Sequence, residues 1–207
     1  MSTNYYLRIP TTKERKESLI KAIENNDFGS IREKYAQMYE KPDEFDVETI
    51  KNAQYGLLHL GKRAGGWKFL WNPRVYMYVR EIKDNKPVWD IFELYKEYSI
   101  KGISEFLHSF PNAYVVNEYS QYDAPVDLSK VTDYEKIGQY PIDAFMRMAD
   151  EWGKEYTINN QYEHGSMYRS ESNAKWHDMF MERHPDAQYY HDYWINDIRM
   201  ANTTDFS

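Results

Sequence analysis

The sequence predicts an α+β fold: a small antiparallel sheet covered by helices, with a helical C-terminal extension. Three observations carry that prediction. Strand-like runs of apolar and aromatic residues, bounded by Gly, Pro or Asn, recur at residues 4–9, 56–60, 67–71, 75–79 and 114–117. Segments with apolar residues three and four apart alternate with them. A length of 207 residues suits one domain with an appendage and can enclose a proper core.

The elements follow in order. Residues 4–9 alternate weakly and stop at Pro10, which reads as a strand. Thr11 or Thr12 then caps a helix; Thr11 has Glu14 at capping-box spacing, and Leu19, Ile20 and Ile23 supply the apolar stripe. A second helix is predicted over residues 30–40 on the spacing of Ile31, Tyr35 and Met38, ended by Lys41-Pro42-Asp43, with Asp46 capping a further turn. Residues 11–52 thus read as a helical hairpin inserted in the core domain. Residues 56–60 and 67–71 are two strands joined by Gly61-Lys62-Arg63-Ala64-Gly65-Gly66. A third strand covers 75–79, Asp84 to Pro87 form a turn, and helices are predicted at 89–98 and 104–110. A strand at 114–117 and a helix at 141–152, opened by Pro141, complete a core domain of residues 1–153. Residues 154–173 are polar and aperiodic. Residues 174–200 read as two helices broken at His184-Pro185, so 154–207 is predicted to be a helical extension.

Composition narrows the function. The chain has no cysteine, which excludes disulfides, thiolate metal sites and a thiol nucleophile. The absence of a long apolar run argues against a membrane span or signal peptide and for a cytoplasmic setting. Tyr 20, Phe 9 and Trp 6 are abundant; tyrosine serves small cores and also ring-stacking surfaces. Residues 1–100 carry 17 basic and 15 acidic side chains, whereas 101–207 carry 9 and 18. That acidic second half opposes general nucleic-acid binding. Between residues 62 and 86 seven basic residues face only Glu81 and Asp84, so an anion is favoured there.

No complete catalytic signature is present, and the expectation is a non-catalytic protein without cofactor. The glycine loop is neither a Walker loop nor a dinucleotide fingerprint, and no nucleophile elbow occurs. His164, His177, His184 and His191 crowd the last third beside acidic residues but lack metal-ligand spacing. The adjacent pair Asp150-Glu151 reads as a solvated face. The strongest local case is the loop itself: backbone N–H groups of Gly65 and Gly66 can face a phosphate that Lys62, Arg63 and Lys68 neutralise.

Met1-Ser2-Thr3-Asn4-Tyr5-Tyr6 and, later, His59-Leu60-Gly61-Lys62-Arg63-Ala64-Gly65-Gly66-Trp67-Lys68-Phe69 resemble a family of small bacteriophage proteins without assigned function. Its members open Met-Gly-Thr-Asn-Tyr-Tyr and carry His-Ile-Gly-Lys, three variable residues, then Gly-Trp. Asn117-Glu118-Tyr119-Ser120 is similar to the family's Asp-Glu-Tyr-Gly turn. The likeness covers about 17 residues closely; the helical segment after Thr11 and the stretch beyond residue 154 depart from the pattern. The resemblance implies a phage origin and action in the host bacterial cytoplasm.

Strand 4–9 beside the central hairpin would bring Tyr5 or Tyr6 toward the glycine loop, the register deciding which. With His59 and Trp67 flanking that loop, the expected ligand is a small phosphorylated compound or nucleotide, its base stacked on Trp67 and a tyrosine. Sequestration of a host nucleotide signal of antiviral defence is one expectation. The other is an acidic inhibitor that imitates nucleic acid on a host nuclease or polymerase. Homo-oligomerisation is compatible with both.

Overall fold

A computed structural model describes residues 2–25, 27, 55–158, 171–189 and 192–201. The fold class is α+β with mostly antiparallel pairing, as the sequence predicts. The chain forms two compact units. One comprises residues 3–60 and 107–147; the other comprises residues 1–2, 61–106 and 148–207. The boundary expected near residue 153 falls inside the latter unit.

In the first unit, strand β1 (Ser2–Pro10) lies between β6 (Tyr114–Asn117) and the start of β2 (Tyr55–Ala64), and β7 (Gln139–Tyr140) follows β6. The β1–β6 register pairs Tyr5 with Asn117, Leu7 with Val115 and Arg8 with Tyr114. Tyr5, Leu7 and Ile9 therefore share one strand face, and all three are buried with Leu58, Leu60 and Val115. Helix α1 (Lys13–Glu24) is capped by Thr12, whose hydroxyl accepts from Arg15 N at 3.3 Å. The expected second helix at 30–40 and the cap at Asp46 lie outside the described residues.

In the second unit, the end of β2 pairs with β3 (Leu70–Trp71), through Gly61 opposite Trp71 and Lys62 opposite Leu70. Strand β10 (Ile198–Met200) runs parallel to β3, and β9 (Tyr193–Ile195) and β8 (Gln188–Tyr189) continue the order. A separate hairpin joins β4 (Val75–Lys83) and β5 (Lys86–Glu93). Helix α2 (Ile100–His108), mostly in this unit, matches the helix expected at 104–110 and starts earlier; α3 (Tyr134–Ile137), a single turn, and most of α4 (Ile142–Glu151), which follows Pro141, belong to the first unit.

Two predicted helices give way to strands, for one reason. The segment at 89–98 carries aromatic residues at helix-like spacing, but Asp84 and Asn85 both adopt positive φ (50° and 60°). That is the two-residue hairpin turn whose twist matches strands, and it folds β5 onto β4. Likewise, 174–200 holds one helix, α5 (Glu171–Arg183), and then β8–β10. Asn196 and Asp197 at φ 46° and 64° turn β9 into β10.

Helix α5 is tied to β5 by charge. Arg183 reaches Asp90 at 2.6 Å and Glu93 at 3.3 Å, and His184 Nε2 lies 2.6 Å from Glu93. The backbone N–H of Ile91 donates to Asp90 at 2.8 Å; that bond, aided by Arg183, holds the Asp90 carboxyl below its ordinary 3.8. A depressed carboxyl contributes stability above its unfolded pKa and loses it as pH falls through the folded value. The Tm difference between the parent and Asp90→Asn is therefore expected to be largest at neutral pH and to shrink in acid as pH falls from that ordinary value through the depressed folded one. Thermal melts across a pH series check it; a difference that persists undiminished in acid would refute the assignment.

Candidate functional site

The loop begins where β2 ends. Trp67 N donates to Ala64 O at 3.0 Å, closing a tight turn over Gly65 and Gly66. Gly66 has φ +79° whereas Gly65 does not take positive φ, the pattern of a type II turn. A Cβ at either glycine would meet nothing within 4 Å, so the turn tip stands in open space. Gly61, expected in the loop, instead belongs to β2, and Lys62, Arg63 and Ala64 continue that strand.

Rings stand beside the tip. Trp67 is 39% exposed and stacks on Tyr156, with centroids 5.6 Å apart and planes 13° apart. Tyr156 stacks in turn on Trp194 at 6.2 Å. The Arg63 guanidinium sits 3.4 Å from the Trp152 ring centroid. Gly153, at φ +60°, lets the chain after α4 approach the Trp67–Lys68 backbone: a Cβ there would lie 2.3 Å from the Trp67 carbonyl carbon and 2.4 Å from Lys68 N.

Arg199 organises the interior of the site. Its Nε and Nη2 donate to Asp192 Oδ2 at 2.7 and 2.6 Å, and Nη1 donates to the Lys68 carbonyl at 3.1 Å. The guanidinium carbon is 4.9 Å from the Trp67 centroid and 5.3 Å from that of Tyr156. Asp192 and Arg199 are 1% and 3% exposed, so the pair is fully desolvated and fixes β10 against the loop. Burial pushes the Tyr156 hydroxyl above its ordinary value, with Asp192 adding to the rise and Arg199 opposing it. The Tyr156 hydroxyl and the indole N–H groups of Trp152 and Trp194 are buried without a hydrogen-bond partner.

The expected site residues separate into groups. Gly65, Gly66, Trp67 and Arg63 come together at the loop, with Lys62 partly exposed on the strand leading into it. Lys68 is buried and ion-paired with Asp197, so its charge is engaged within the fold instead of awaiting phosphate. Tyr5 is a core residue, 2% exposed, packed on Tyr140 and Phe145. In the same unit as Tyr5, and not that of the loop, Tyr6 stacks on His59 at 4.9 Å; His59 Nε2 lies 3.2 Å from Asn4 Oδ1, and Asn4 Nδ2 donates to Glu118 at 2.8 Å. The sequence reading missed Tyr156, Trp152, Asp192 and Arg199. Among these, only the richness in aromatic residues offered a signal.

Of the C-terminal histidines, His177 lies 2.6 Å from the Tyr193 hydroxyl and His184 contacts Glu93, whereas His164 and His191 lie outside the described residues. Among the described residues no group of three or more acidic or histidine side chains is placed to hold a metal, and no helix is long and apolar enough to cross a membrane. No protein-family model, curated protein or solved structure matches the chain.

Proposed function

We propose that this chain is a phage-encoded, non-catalytic binding protein that assists infection in the host cytoplasm by sequestering a small phosphorylated or nucleotide ligand, a host signal of antiviral defence. Phage origin rests on the two motifs; the ligand class rests on the loop. The observation that carries the reading is the part-exposed Trp67 ring, presented by an open glycine turn and backed by Tyr156 and Arg199. A base would stack on the indole, Arg63 and Lys62 would meet phosphate, and the Gly65 and Gly66 amides would supply donors. Calorimetry against cyclic nucleotides and ADP-ribose derivatives tests it. Trp67→Ala is expected to weaken binding by about 10- to 100-fold, the loss of one base–aromatic stack of roughly 1–3 kcal/mol. Uniform lack of binding, or an unchanged affinity in Trp67→Ala, would reject the reading.

One observation favours the rival, an acidic inhibitor of a host nuclease or polymerase. Tyr119 and Tyr122 are 71% and 76% exposed in a stretch that also carries Glu118, Asp123 and Asp127. Aromatic rings ringed by carboxylates suit a basic protein surface. Under this reading a host nuclease or polymerase is inhibited by the parent protein at low salt, and Tyr119→Ala/Tyr122→Ala loses the effect.

A further inference from the structure

Strand β1 presents two unlike faces. Tyr5, Leu7 and Ile9 enter the core; Asn4, Tyr6 and Arg8 alternate with them on the opposite face. Arg8 is the anomaly on that face. It is 5% exposed, yet its one side-chain hydrogen bond among the described residues goes to a neutral acceptor, the Asp123 carbonyl, from Nη1 at 2.5 Å. Among the described residues no carboxylate lies within ion-pair distance of it. A guanidinium removed from water without a counter-charge costs several kcal/mol unless something else compensates it.

Two rings hold this cation in place. The Tyr55 ring lies face-on, with the guanidinium carbon 3.8 Å from its centroid; the Tyr114 centroid is 5.7 Å away, on the residue opposite Arg8 in the β1–β6 register. Stacking on Tyr55 occupies a face of the guanidinium and leaves its edge. Among the described residues, Nε and Nη2 on that edge donate to no protein group, and neither is sealed from solvent. Burial raises the Tyr114 hydroxyl above its ordinary value, and the Arg8 charge opposes that rise. Neutral rings immobilise the fork, and its own edge carries the donors left for an anion.

We propose that Arg8, stacked on Tyr55 beside the Tyr114 ring, is a receptor for a small oxyanion, a phosphate or carboxylate group bound through the guanidinium edge. The geometry of such a fork matches two oxygens of either group. The site uses no residue of the glycine loop and stands whether or not that loop binds a nucleotide.

The test uses the full chain and three sodium salts at matched ionic strength: phosphate, acetate and chloride. Phosphate or acetate, relative to chloride, is expected to raise Tm by about 3–5 °C at roughly ten times its Kd and to shift the Arg8 Nε–H resonance. A response to phosphate alone identifies a phosphoryl ligand, and a response to acetate alone a carboxylate; each supports the site. Arg8→Gln is expected to lose the response and, without anion, to melt no lower than the parent, since the uncompensated charge is gone. Arg8→Lys keeps the charge but loses the fork, and is expected to respond at least tenfold more weakly. The Arg8 resonance reports on this site alone, which separates it from any phosphate bound at the glycine loop. If phosphate and acetate both act like chloride on Tm and on the Arg8 resonance of the parent, the proposal is overturned; that measurement needs no variant to fold.

Discussion

Asp192→Ala is expected to destabilise the protein by about 3–5 kcal/mol, the usual cost of leaving one member of a buried ion pair alone. Arg199 makes two bonds to Asp192 and a third to the Lys68 carbonyl. Without the carboxylate its charge stays buried against Trp67 and Tyr156. The melting temperature would fall by roughly 10 °C for a chain of this size, and urea titration with an unchanged m-value would give the free energy. The ion pair's origin predicts the sign of a second experiment. Asp192→Leu combined with Arg199→Met removes both charges, and is expected to be less damaging than Asp192→Ala alone, because no uncompensated ion remains. A single variant within about 1 kcal/mol of the parent, or a double variant worse than the single, would refute this account of the pair. Arg199 also fixes the backbone of the loop that presents Trp67, so Asp192→Ala should weaken any ligand bound there.

This pair shows where the sequence stops being legible. Lys68 reads as a free cation in a basic stretch, yet its partner Asp197 lies 129 residues away, and no local pattern connects them. The same separation hides the engagement of Arg199 with the Lys68 carbonyl. Local chemistry, by contrast, reads well. Pro10 ends β1, Thr12 caps α1, Asn72-Pro73 separates β3 from β4, and Pro141 opens α4. The choice between Tyr5 and Tyr6 was also available: Tyr5 is in step with Leu7 and Ile9, so it joins the apolar face. The strands β5 and β8–β10 were lost for a different reason. Their runs are short or aromatic, and the deciding signal sits in Asp84-Asn85 and Asn196-Asp197. These residues tolerate positive φ without glycine, so the hairpins carry none of the glycine that marks such turns most clearly.

Gly61→Ala is expected to cost about 3–4 kcal/mol, while Gly65→Ala, four residues later, changes stability by less than about 0.5 kcal/mol. The contrast follows from what each hydrogen faces. A Cβ on Gly61 would stand 2.2 Å from the Leu70 carbonyl oxygen, 2.7 Å from the Phe69 ring and 3.0 Å from Trp71 Cα. Two of those walls are backbone of the paired chain, and β3 has only Leu70 and Trp71 with which to hold β2 on one side and β10 on the other. Relief would require opening that pairing or moving Gly61 from φ +150°, a conformation that L side chains rarely adopt. Gly65 stands in open space at the turn tip, without a positive φ, so a methyl there touches nothing. Chemical denaturation of the two variants measures the difference. Equal effects would mean that both glycines serve the turn, as the sequence reading had it, and that Gly61 is not where β2 and β3 meet most closely. A large effect at Gly61 alone would separate two roles within one glycine-rich motif: the first glycine for strand packing, the later pair for the turn that carries Trp67.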